Sequence, residues 1–548
     1  MDIRKTLLWA IFTISALLLF NAWQEQTGQG SLFSKSAAPA KEQVIATSNG
    51  AKDLPKPSGN ALVAPAPTSS PKTGELLTLK NDVLELEVDT LGGVVSKARL
   101  LKHLEEDKSP VLLFDRSNDR QYFARTGLVS GSGAELPNHT QIFTATKNQA
   151  NNSITLVAEK NGVRLEKTYT LSNGSYVVEA KHHIKNISAQ NLDATLYAEL
   201  VRDGGKPSFK GKVEESSFYS TFTGPAVYTD AEKFHKIDFS DIEKGKSKVP
   251  STQPAGETAW VAMVQHYFVS AWVPPATYSK DLYVEKLDKN QFRVGVKSKL
   301  DALSIGQEKV ETFKLFVGPQ EERVLENVAP GLELVKDYGW LTILAKPIFW
   351  LLEKIHALVN NWGWAIILLT VFIKLVFFPL SAASYKSMAR MKEVQPRLLE
   401  MKERYKGEPQ KLNQAMMEMY RKEKINPLGG CLPVLIQIPV FISLYWVLLS
   451  SVEMRGAPWI LWIHDLSVPD PYYILPVIMA VSMFVQTKLN PTPPDPIQAK
   501  VMMYMPIVFS IMFFFFPAGL VLYWVVNNLL SIAQQWQINQ MFGKKEAK

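Results

Sequence analysis

The sequence predicts a multi-domain membrane protein, in which an exported all-β sandwich precedes an all-α polytopic bundle and six helices span the membrane. Three observations lead to this prediction. About 200 C-terminal residues are packed with Trp, Phe, Leu and Pro, and roughly 250 residues before them alternate apolar and polar side chains. Basic residues cluster in those loops that the six-span arrangement places on one side of the membrane.

Composition excludes several classes of protein. The chain has 548 residues, 60 Lys and Arg against 52 Asp and Glu, one cysteine, and a mean hydropathy of −0.03. That mean averages a polar stretch with a strongly apolar remainder. The apolar remainder nearly excludes a soluble enzyme. One cysteine permits no intrachain disulfide, so an exported domain is held by its core alone.

The N-terminus combines a basic pair with an apolar run. Arg4 and Lys5 precede apolar residues 7–20. We expect residues 1–23 to form an uncleaved transmembrane anchor with a cytoplasmic N-terminus, because the residues after the run make a poor cleavage site. A cleaved signal peptide is the alternative. Residues 24–73, rich in Pro, Ala, Ser, Gly and Gln, predict a disordered linker.

The next segment alternates with a period of two. Leu84, Leu86 and Val88 are separated by acidic residues, and Gly, Asn, Asp and Pro divide the runs. Similar runs occupy residues 176–184, 194–201, 260–273, 292–297 and 312–317. This pattern predicts a β-sandwich over residues 74–330. The adjacent His182 and His183 should point to opposite faces of a strand, and their neighbours show no metal-ligand spacing, so we expect no metal site.

Apolar segments define the predicted spans. Residues 340–359 carry Lys346 and Glu353 and are too polar to span comfortably, so we expect segment 331–360 to form an amphipathic helix in the membrane interface. The remaining candidate spans are 361–380, 428–450, 472–489, 502–516 and 518–536, the last four making up transmembrane helices 3–6 over residues 428–536. Since segment 502–516 is short, either the bilayer around it is thin or its helix extends further.

The distribution of charge tests this count. Residues 381–427 contain eleven basic residues, the loop 451–471 contains one, and the tail 537–548 contains three. Six spans with the N-terminus inside put both basic regions in the cytoplasm, together with the C-terminus. A seventh span at residues 340–359 would put the eleven outside.

The basic segment 381–427 also predicts a cytoplasmic helical hairpin. A heptad seam is formed by Met391, Val394, Leu398, Met401 and Tyr405. Gly407 and Pro409 break the first helix, and Leu412, Met416 and Met419 continue on a second. The charges either solvate the hairpin or dock it on anionic lipid, RNA or a partner. Six acidic residues among the eleven basic ones favour solvation.

One charged residue stands out inside a span. The sequence has no phosphate-binding loop, zinc pattern or nucleophile elbow, so we expect no enzyme activity and no cofactor. Lys374, however, lies within the second span, where an ammonium costs ~2.5–3.5 kcal/mol. No Asp or Glu lies inside the other spans. Lys374 therefore either faces a hydrated groove or extends to the near interface.

Polar residues on other spans favour the groove. Thr370 lies one helical turn from Lys374, and the further candidates are Gln437, Ser482, Gln486, Tyr523, Asn527 and Ser531. Any one of them is commonly a hydrogen-bonding residue between membrane helices. Polar groups from four spans, with no acid to neutralise the lysine, fit a hydrated groove better than a dry bundle and make ion transport a weak alternative.

Several long motifs have a specific resemblance. They are NPLGGCLP at 426–433 with QIP at 437–439, WIHDL at 462–466, DPYYILP at 470–476 and FPAGLVLY at 516–523. The chain resembles the Oxa/Alb/YidC family of membrane protein insertases, strongly over about residues 340–542. The exported β-domain, supersandwich-like, and the N-terminal anchor are similar to the Gram-negative form.

The resemblance implies a site. Family members fold five core helices around a positively charged hydrophilic groove, open to cytoplasm and lipid and closed outside. Lys374 matches the family's groove position, where arginine is usual; lysine keeps the charge and loses the planar fork. Thr370 and Gln437 match groove-lining positions. Tyr523 and Trp524 match an aromatic pair past which substrate spans slide; an aromatic belt at an interface is the alternative.

The resemblance also implies a function. Such a protein inserts and folds newly made proteins of the bacterial inner membrane, alone or with the Sec translocon. The partners implied are nascent membrane proteins, the Sec translocon with its accessory proteins, the phospholipid bilayer and, weakly or indirectly, the ribosome, with no role for DNA. A polytopic transporter and an envelope carbohydrate-binding protein are the alternatives, the second because similar sandwiches occur in mutarotases.

Overall fold

The computed structural model describes residues 54–55, 74–105, 107–117, 119–205, 221–250, 252–287, 290–405, 407–423, 432–489 and 496–543. The predicted anchor, nearly all of the predicted linker and most of the NPLGGCLP motif lie outside these residues. The chain divides after Lys336 into two compact units.

The first unit is built from seventeen described strands. They are β1 Leu76–Lys80, β2 Leu84–Asp89, β3 Val94–Leu104, β4 Pro110–Arg116, β5 Gln121–Ser130, β6 Thr144–Asn148, β7 Ser153–Lys160, β8 Val163–Leu171, β9 Val177–Asn186, β10 Ala194–Asp203, β11 Gly224–Thr229, β12 Lys233–Lys236, β13 Ala259–Val264, β14 Phe268–Val273, β15 Lys280–Leu287, β16 Gln291–Lys299 and β17 Glu308–Pro319. Two short helices accompany them, α1 Phe239–Glu243 and α2 Glu322–Val328.

These strands form two antiparallel sheets. One has the order β1-β2-β3-β4-β5-β10-β16-β15, and the other β12-β11-β13-β14-β17-β9-β8-β7-β6. Their facing sides bury the alternating apolar residues, and Trp260 and Trp272 are among the largest fully buried side chains. The predicted β-sandwich is therefore confirmed. The run at 260–273 is two strands, however, because Gln265 donates its N–H to the Phe268 carbonyl and closes a hairpin turn at 2.9 Å.

The two adjacent histidines lie on opposite faces of β9, as predicted. His182 is fully buried, whereas His183 lies on the outer face with its Nε2 3.1 Å from Glu308. In the described parts of the chain, no three His, Cys, Asp or Glu side chains are grouped so that they could hold a metal ion.

A buried ammonium ties the two sheets of the sandwich together. Lys167, on β8, donates to the carbonyls of Gly92 at 2.8 Å and Thr126 at 2.7 Å, and Thr126 belongs to β5 of the other sheet. His182 is its register partner on β9, and the His182 Nε2 lies 2.9 Å from the Thr126 hydroxyl. Burial lowers the pKa of Lys167 to about 7, and burial, with the nearby Lys167 charge second, lowers the pKa of His182 to about 3.

The second unit is helical. Its helices are α3 Thr342–Val359, α4 Trp362–Val376, α5 Phe378–Arg404, α6 Pro409–Lys422, α7 Leu432–Ser450, α8 Ile474–Leu489, α9 Pro496–Met512 and α10 Ala518–Gly543. Helix α10 packs against α4, α5, α7 and α8. Among the described residues no helix alone has the length and hydropathy of a membrane span, although α4 and Phe378–Met391 of α5, bent by 67°, meet both measures as a pair.

Several predicted boundaries differ from the observed helices. The span expected at 361–380 ends at Val376, because Pro379 has no N–H to continue the helical ladder and α5 starts in a new direction. The segment expected at 502–516 belongs to a helix that begins at Pro496, so its helix is extended. In the predicted interfacial segment, α3 begins only at Thr342 and short 3-10 turns precede it.

A loop covers one end of the helical bundle. The amide of Asn361, at the start of α4, donates to the Pro458 and Trp459 carbonyls, each at 3.2 Å. The Ala518 N–H, at the start of α10, donates to Val468 at 2.8 Å. Asp470 is buried in this loop and accepts the Leu475 N–H at 2.7 Å, which caps α8.

Helices α5 and α6 pack against each other along the predicted seam, although α5 begins at Phe378, before the segment expected to form the hairpin. Val394 and Leu398 are buried against Met391 and Met401 of α5 and against residues of α6, namely Met416, Met419 and Tyr420. Tyr405 follows the last residue of α5 and is half-buried. An ion pair of 2.7 Å between Arg397 and Glu423 also links the two helices.

Because Lys167 and His182 are buried with lowered pKa values, we expect the sandwich to lose stability as the pH falls. Both folded-state pKa values lie below the ordinary values, 10.5 for Lys and 6.5 for His, so the unfolded chain binds more protons. The free energy of unfolding should therefore fall from about pH 10 to about pH 7 through Lys167, and again below about pH 6.5 through His182. Pulse proteolysis of the full-length protein in urea at a series of pH values measures it.

Lys167→Met should remove the dependence above about pH 7, whereas Lys181→Met, which changes an exposed lysine of β9, should keep it. A urea midpoint that is independent of pH, or the same profile in both variants, would contradict the prediction.

Candidate functional site in the helical unit

The predicted groove lysine points into the helical unit. Lys374 occupies the last turn of α4 and is 6% exposed. Its Nζ donates to the Ser531 hydroxyl on α10 at 2.7 Å. It forms no salt bridge with any described residue. The side chain is thus directed inward, towards α10.

Two further polar residues extend this contact to a third helix. The Ser531 hydroxyl donates to the Asn527 carbonyl, one turn earlier on α10, at 2.7 Å. The Asn527 side-chain carbonyl accepts the Gln437 Nε2 of α7 at 2.6 Å. We call Lys374, Ser531, Asn527 and Gln437 the lysine cluster. It joins α4, α7 and α10 by side-chain hydrogen bonds inside the helical bundle.

A small cavity lies beside the ammonium. Its volume is about 10 Å³, and its lining is Ile373, Lys374, Phe377, Leu380, Ser381 and Gln437. That volume accommodates about one water molecule. Between the described residues, the space next to Lys374 is therefore a small cavity with both polar and apolar walls, bounded by α4, α5 and α7.

Thr370 lies in the interior but bonds within its own helix. It is 1% exposed, and its hydroxyl donates to the Ile366 carbonyl four residues earlier at 2.7 Å. Such back-bonding satisfies a buried hydroxyl without a partner helix. Thr370 therefore shares the inward side of α4 with Lys374, and the structure records no hydrogen bond between the two.

The predicted aromatic pair forms an internal cluster with α7. Tyr523 is 2% exposed, and its ring stacks on Phe441 at a centroid distance of 6.2 Å. Trp524 is half-buried, with its ring 4.5 Å from Phe441 and 5.4 Å from Phe513. The Trp524 Nε1 is buried and has no hydrogen-bond acceptor among the described residues.

Two predicted groove residues belong to other surroundings. Ser482 of α8 donates to the Met479 carbonyl at 2.8 Å and accepts the Asn528 amide at 3.3 Å. Gln486 is half-buried, and no recorded hydrogen bond joins it to the lysine cluster. The structure thus connects Lys374, Gln437, Asn527 and Ser531 directly, and gives Ser482 a separate polar contact between α8 and α10.

Sequence reasoning missed the contribution of α5. Ser381 is 8% exposed and lines the cavity, and Tyr385 approaches the Ser531 hydroxyl. Both were assigned to the cytoplasmic hairpin, because the bend after Val376 was not foreseen. A signal was present: Pro379 ends the apolar run, and Ser381, Ser384 and Tyr385 then follow at helical spacing.

The outer surface of the helical unit is apolar. Helix α4 exposes Trp364, Leu368, Phe372 and Leu375, each by more than 40%. Helix α8 likewise exposes Val477, Val481 and Phe484. Contiguous apolar surface of this kind marks a face that meets apolar surroundings.

The fold and the site together define a class of protein: a helical unit with an apolar exterior encloses a polar cluster around one lysine, and a β-sandwich precedes it. Two family models match almost all of this arrangement. One, described as "YidC periplasmic domain", matches residues 76–351, and the other, described as "60Kd inner membrane protein", matches residues 354–545.

Full-length relatives agree with both matches. Membrane protein insertase YidC of Polynucleobacter necessarius subsp. necessarius is 62% identical over 559 residues, which cover 100% of each chain. Membrane protein insertase YidC of Cupriavidus necator is 59% identical and covers 100% of this chain and 99% of its own. The chain belongs to the YidC family of membrane protein insertases.

Solved structures show more distant similarity. A crystal structure of an active YidC insertase with its first transmembrane domain resolved is 18% identical, covers 84% of this chain and 92% of its own, and gives a TM-score of 0.38. A galactose mutarotase related enzyme from Lactobacillus acidophilus is 8% identical, covers 44% of this chain and 97% of its own, and gives a TM-score of 0.32.

The effects of substituting Gln437 and Asn527 on the free energy of unfolding should be coupled, because the two side chains share one hydrogen bond. Gln437→Leu leaves the Asn527 side chain without its donor and should lower the free energy of unfolding by about 1 kcal/mol. Adding Asn527→Leu should cost about 0.6 kcal/mol less than the sum of the two single changes, since both remove one interaction. Unfolding of the purified protein in lipid nanodiscs measures the four variants.

Ser450→Ala, at the far end of α7, provides the control pair, because its effect should add to that of Gln437→Leu. Strict additivity of the Gln437 and Asn527 changes would contradict the coupling.

Proposed function

We propose that the chain is an inner-membrane protein insertase in which Lys374 receives short polar segments of newly made membrane proteins. The observation that carries this proposal is the inward-pointing Lys374, which is bonded to a neutral hydroxyl and lies within an apolar bundle. The full-length relatives, which are named as membrane protein insertases, support the same activity. They favour neither the transporter nor the carbohydrate-binding alternative.

The proposed mechanism follows from solvation. A new span must carry a polar tail through apolar lipid, where unsatisfied polar groups are costly. The lysine cluster offers hydrogen-bonding groups and a positive charge partway across this barrier. Since the present cavity has room for about one water molecule, we propose that the helices around it separate to admit a tail.

Two sources of free energy drive the reaction without nucleotide. We call the newly made membrane protein that is inserted the client. Transfer of the client's apolar surface into lipid contributes ~25 cal/mol per Å². The membrane potential adds ~2.3 kcal/mol per charge per 100 mV and favours outward movement of acidic tails. Because the sequence has no phosphate-binding loop, the mechanism fits a protein that does not use ATP.

We assign the aromatic cluster to the emerging span. Tyr523 and Trp524 of α10 and Phe441 of α7 provide flat apolar surfaces next to the lysine cluster. A client helix leaving the polar site would pass such surfaces on its way to lipid. Thr370 and Gln437 are assigned to the groove wall, and Ser482 and Gln486 to a more distant part of it.

The arrangement in the membrane is proposed from charge. Six spans place both termini and the hairpin of α5 and α6 in the cytoplasm and the sandwich in the periplasm. Helix α3 exposes Ile343, Trp350 and Leu358, which fits a helix lying in the membrane interface. We also propose the Sec translocon and its accessory proteins as partners, with a weak or indirect contact to the ribosome.

Removing the charge of Lys374 should impair acidic clients selectively. Lys374→Leu should reduce insertion of a client with an acidic outer tail about tenfold more than insertion of the same client with a neutral tail, because only the first gains from the ammonium. Lys374→Arg, which keeps the charge, should preserve the ratio. Protease protection of both clients in proteoliposomes measures insertion.

Equal impairment of the two clients by Lys374→Leu, or no impairment of either, would contradict a role for the charge.

The sandwich should be dispensable for the insertion step. Deleting residues 76–319 should leave more than about half of the insertion activity, because the lysine cluster and the aromatic cluster lie wholly in the helical unit. The same proteoliposome assay measures activity, and thermal unfolding of the truncated protein shows whether its helical unit is folded. Complete loss of insertion by a folded truncated protein would refute this assignment.

A further inference from the structure

We infer that Ser531 is a positioning residue, which holds the Lys374 ammonium inside the helical unit where the acidic segment of a client meets it. This inference rests on the proposed function. It assigns to Ser531 a part in client selection that acts entirely through the lysine.

The hydrogen bonds to Asn527 and Lys374 give the Ser531 hydroxyl two complementary roles, beside the Tyr385 side chain that approaches the same hydroxyl. The Ser531 hydroxyl has a single proton, which is committed to the Asn527 carbonyl at 2.7 Å. A lone pair of the same oxygen therefore faces the Lys374 Nζ, also at 2.7 Å. Lysine can only donate hydrogen bonds, so the geometry makes Ser531 an obligatory acceptor. Ser531 is 3% exposed, so bulk water does not replace it.

Lys374 needs such a partner because it has an alternative position. It lies two residues before the end of α4 at Val376, and its flexible stem is long enough to carry the ammonium out to the aqueous side. In that position the charge would be hydrated and remote from the cavity. The acceptor on α10 favours the inward position.

A hydroxyl positions the charge without cancelling it. A carboxylate at position 531 would hold the ammonium equally well but would form an ion pair with it. The net charge offered to a client would then be zero. Serine accepts one of the three ammonium hydrogens, and Ser381 and Gln437 line the cavity beside the same group. The cluster thus fixes the cation and leaves its charge for an acidic ligand.

The test compares isosteric variants of the full-length protein in proteoliposomes. The readout is the ratio of insertion of an acid-tailed client to that of the same client with a neutral tail. S531T retains the acceptor and should keep the ratio within about twofold, whereas S531V should lower it about tenfold, as expected for one lost hydrogen bond to a charged group. S531D should lower the ratio as K374L does.

Two controls separate positioning from general damage. S450A removes a buried serine with the same type of back-bond, to the Trp446 carbonyl at 2.6 Å, and should leave the ratio unchanged. In the K374L background, S531V should cause no further loss of the ratio, because Ser531 acts only through Lys374.

The outcomes distinguish the inference from the function on which it rests. An unchanged ratio in S531V, or an equal loss of ratio in the native and K374L backgrounds, overturns the positioning role while the charge role of Lys374 stands. An unchanged ratio in K374L overturns the charge role and, with it, the inference. A lower ratio in S531V together with a preserved ratio in S531T supports both the positioning role of Ser531 and the charge role of Lys374.

Discussion

The helical unit depends on one constraint, a buried cation that no described carboxylate pairs with. Lys374 bonds to Ser531, and Ser531 bonds to the Asn527 carbonyl, so the hydrogen bond of the ammonium within the described part of the chain is to a neutral group. The predicted spans contain no Asp or Glu that could cancel the charge. An apolar exterior lowers the local dielectric and strengthens the attraction of this charge for an acidic group. The proposed attraction of acidic client segments depends on this uncompensated charge.

The sandwich contains a second buried lysine, and the comparison separates a structural cation from a functional one. Lys167 donates to two backbone carbonyls, of Gly92 and Thr126, and stands over the Phe143 ring. It is enclosed by these groups and links two sheets. Lys374 has one hydrogen-bond acceptor among the described residues and borders a cavity whose lining includes Ser381 and Gln437. Because an ammonium has three donors, Lys374 keeps capacity for a further ligand.

Periodicity in the sequence predicted which faces of the elements are buried, and it could not predict which neighbours those faces meet. The alternation of Leu84, Leu86 and Val88 correctly indicated a sandwich, because one face of each strand must be buried. Lys374 was recognised by its cost in an apolar span, and Gln437 and Asn527 by their polarity. Ser482 was also recognised by its polarity, but helical spacing did not reveal that its hydroxyl meets the Asn528 amide rather than the lysine cluster.

The bend after Val376 shows why local rules miss a site of this kind. Pro379 ends one helix and also begins the next, and the sequence alone did not show where the new axis points. In the structure α5 packs against α10, and Leu380 and Ser381 become walls of the cavity. The same helix continues past Pro396 to Arg404 and carries the seam residues Val394 and Leu398. One helix therefore supplies both a wall of the lysine cavity and the first half of the hairpin, which a local reading of the sequence separates at Ser381.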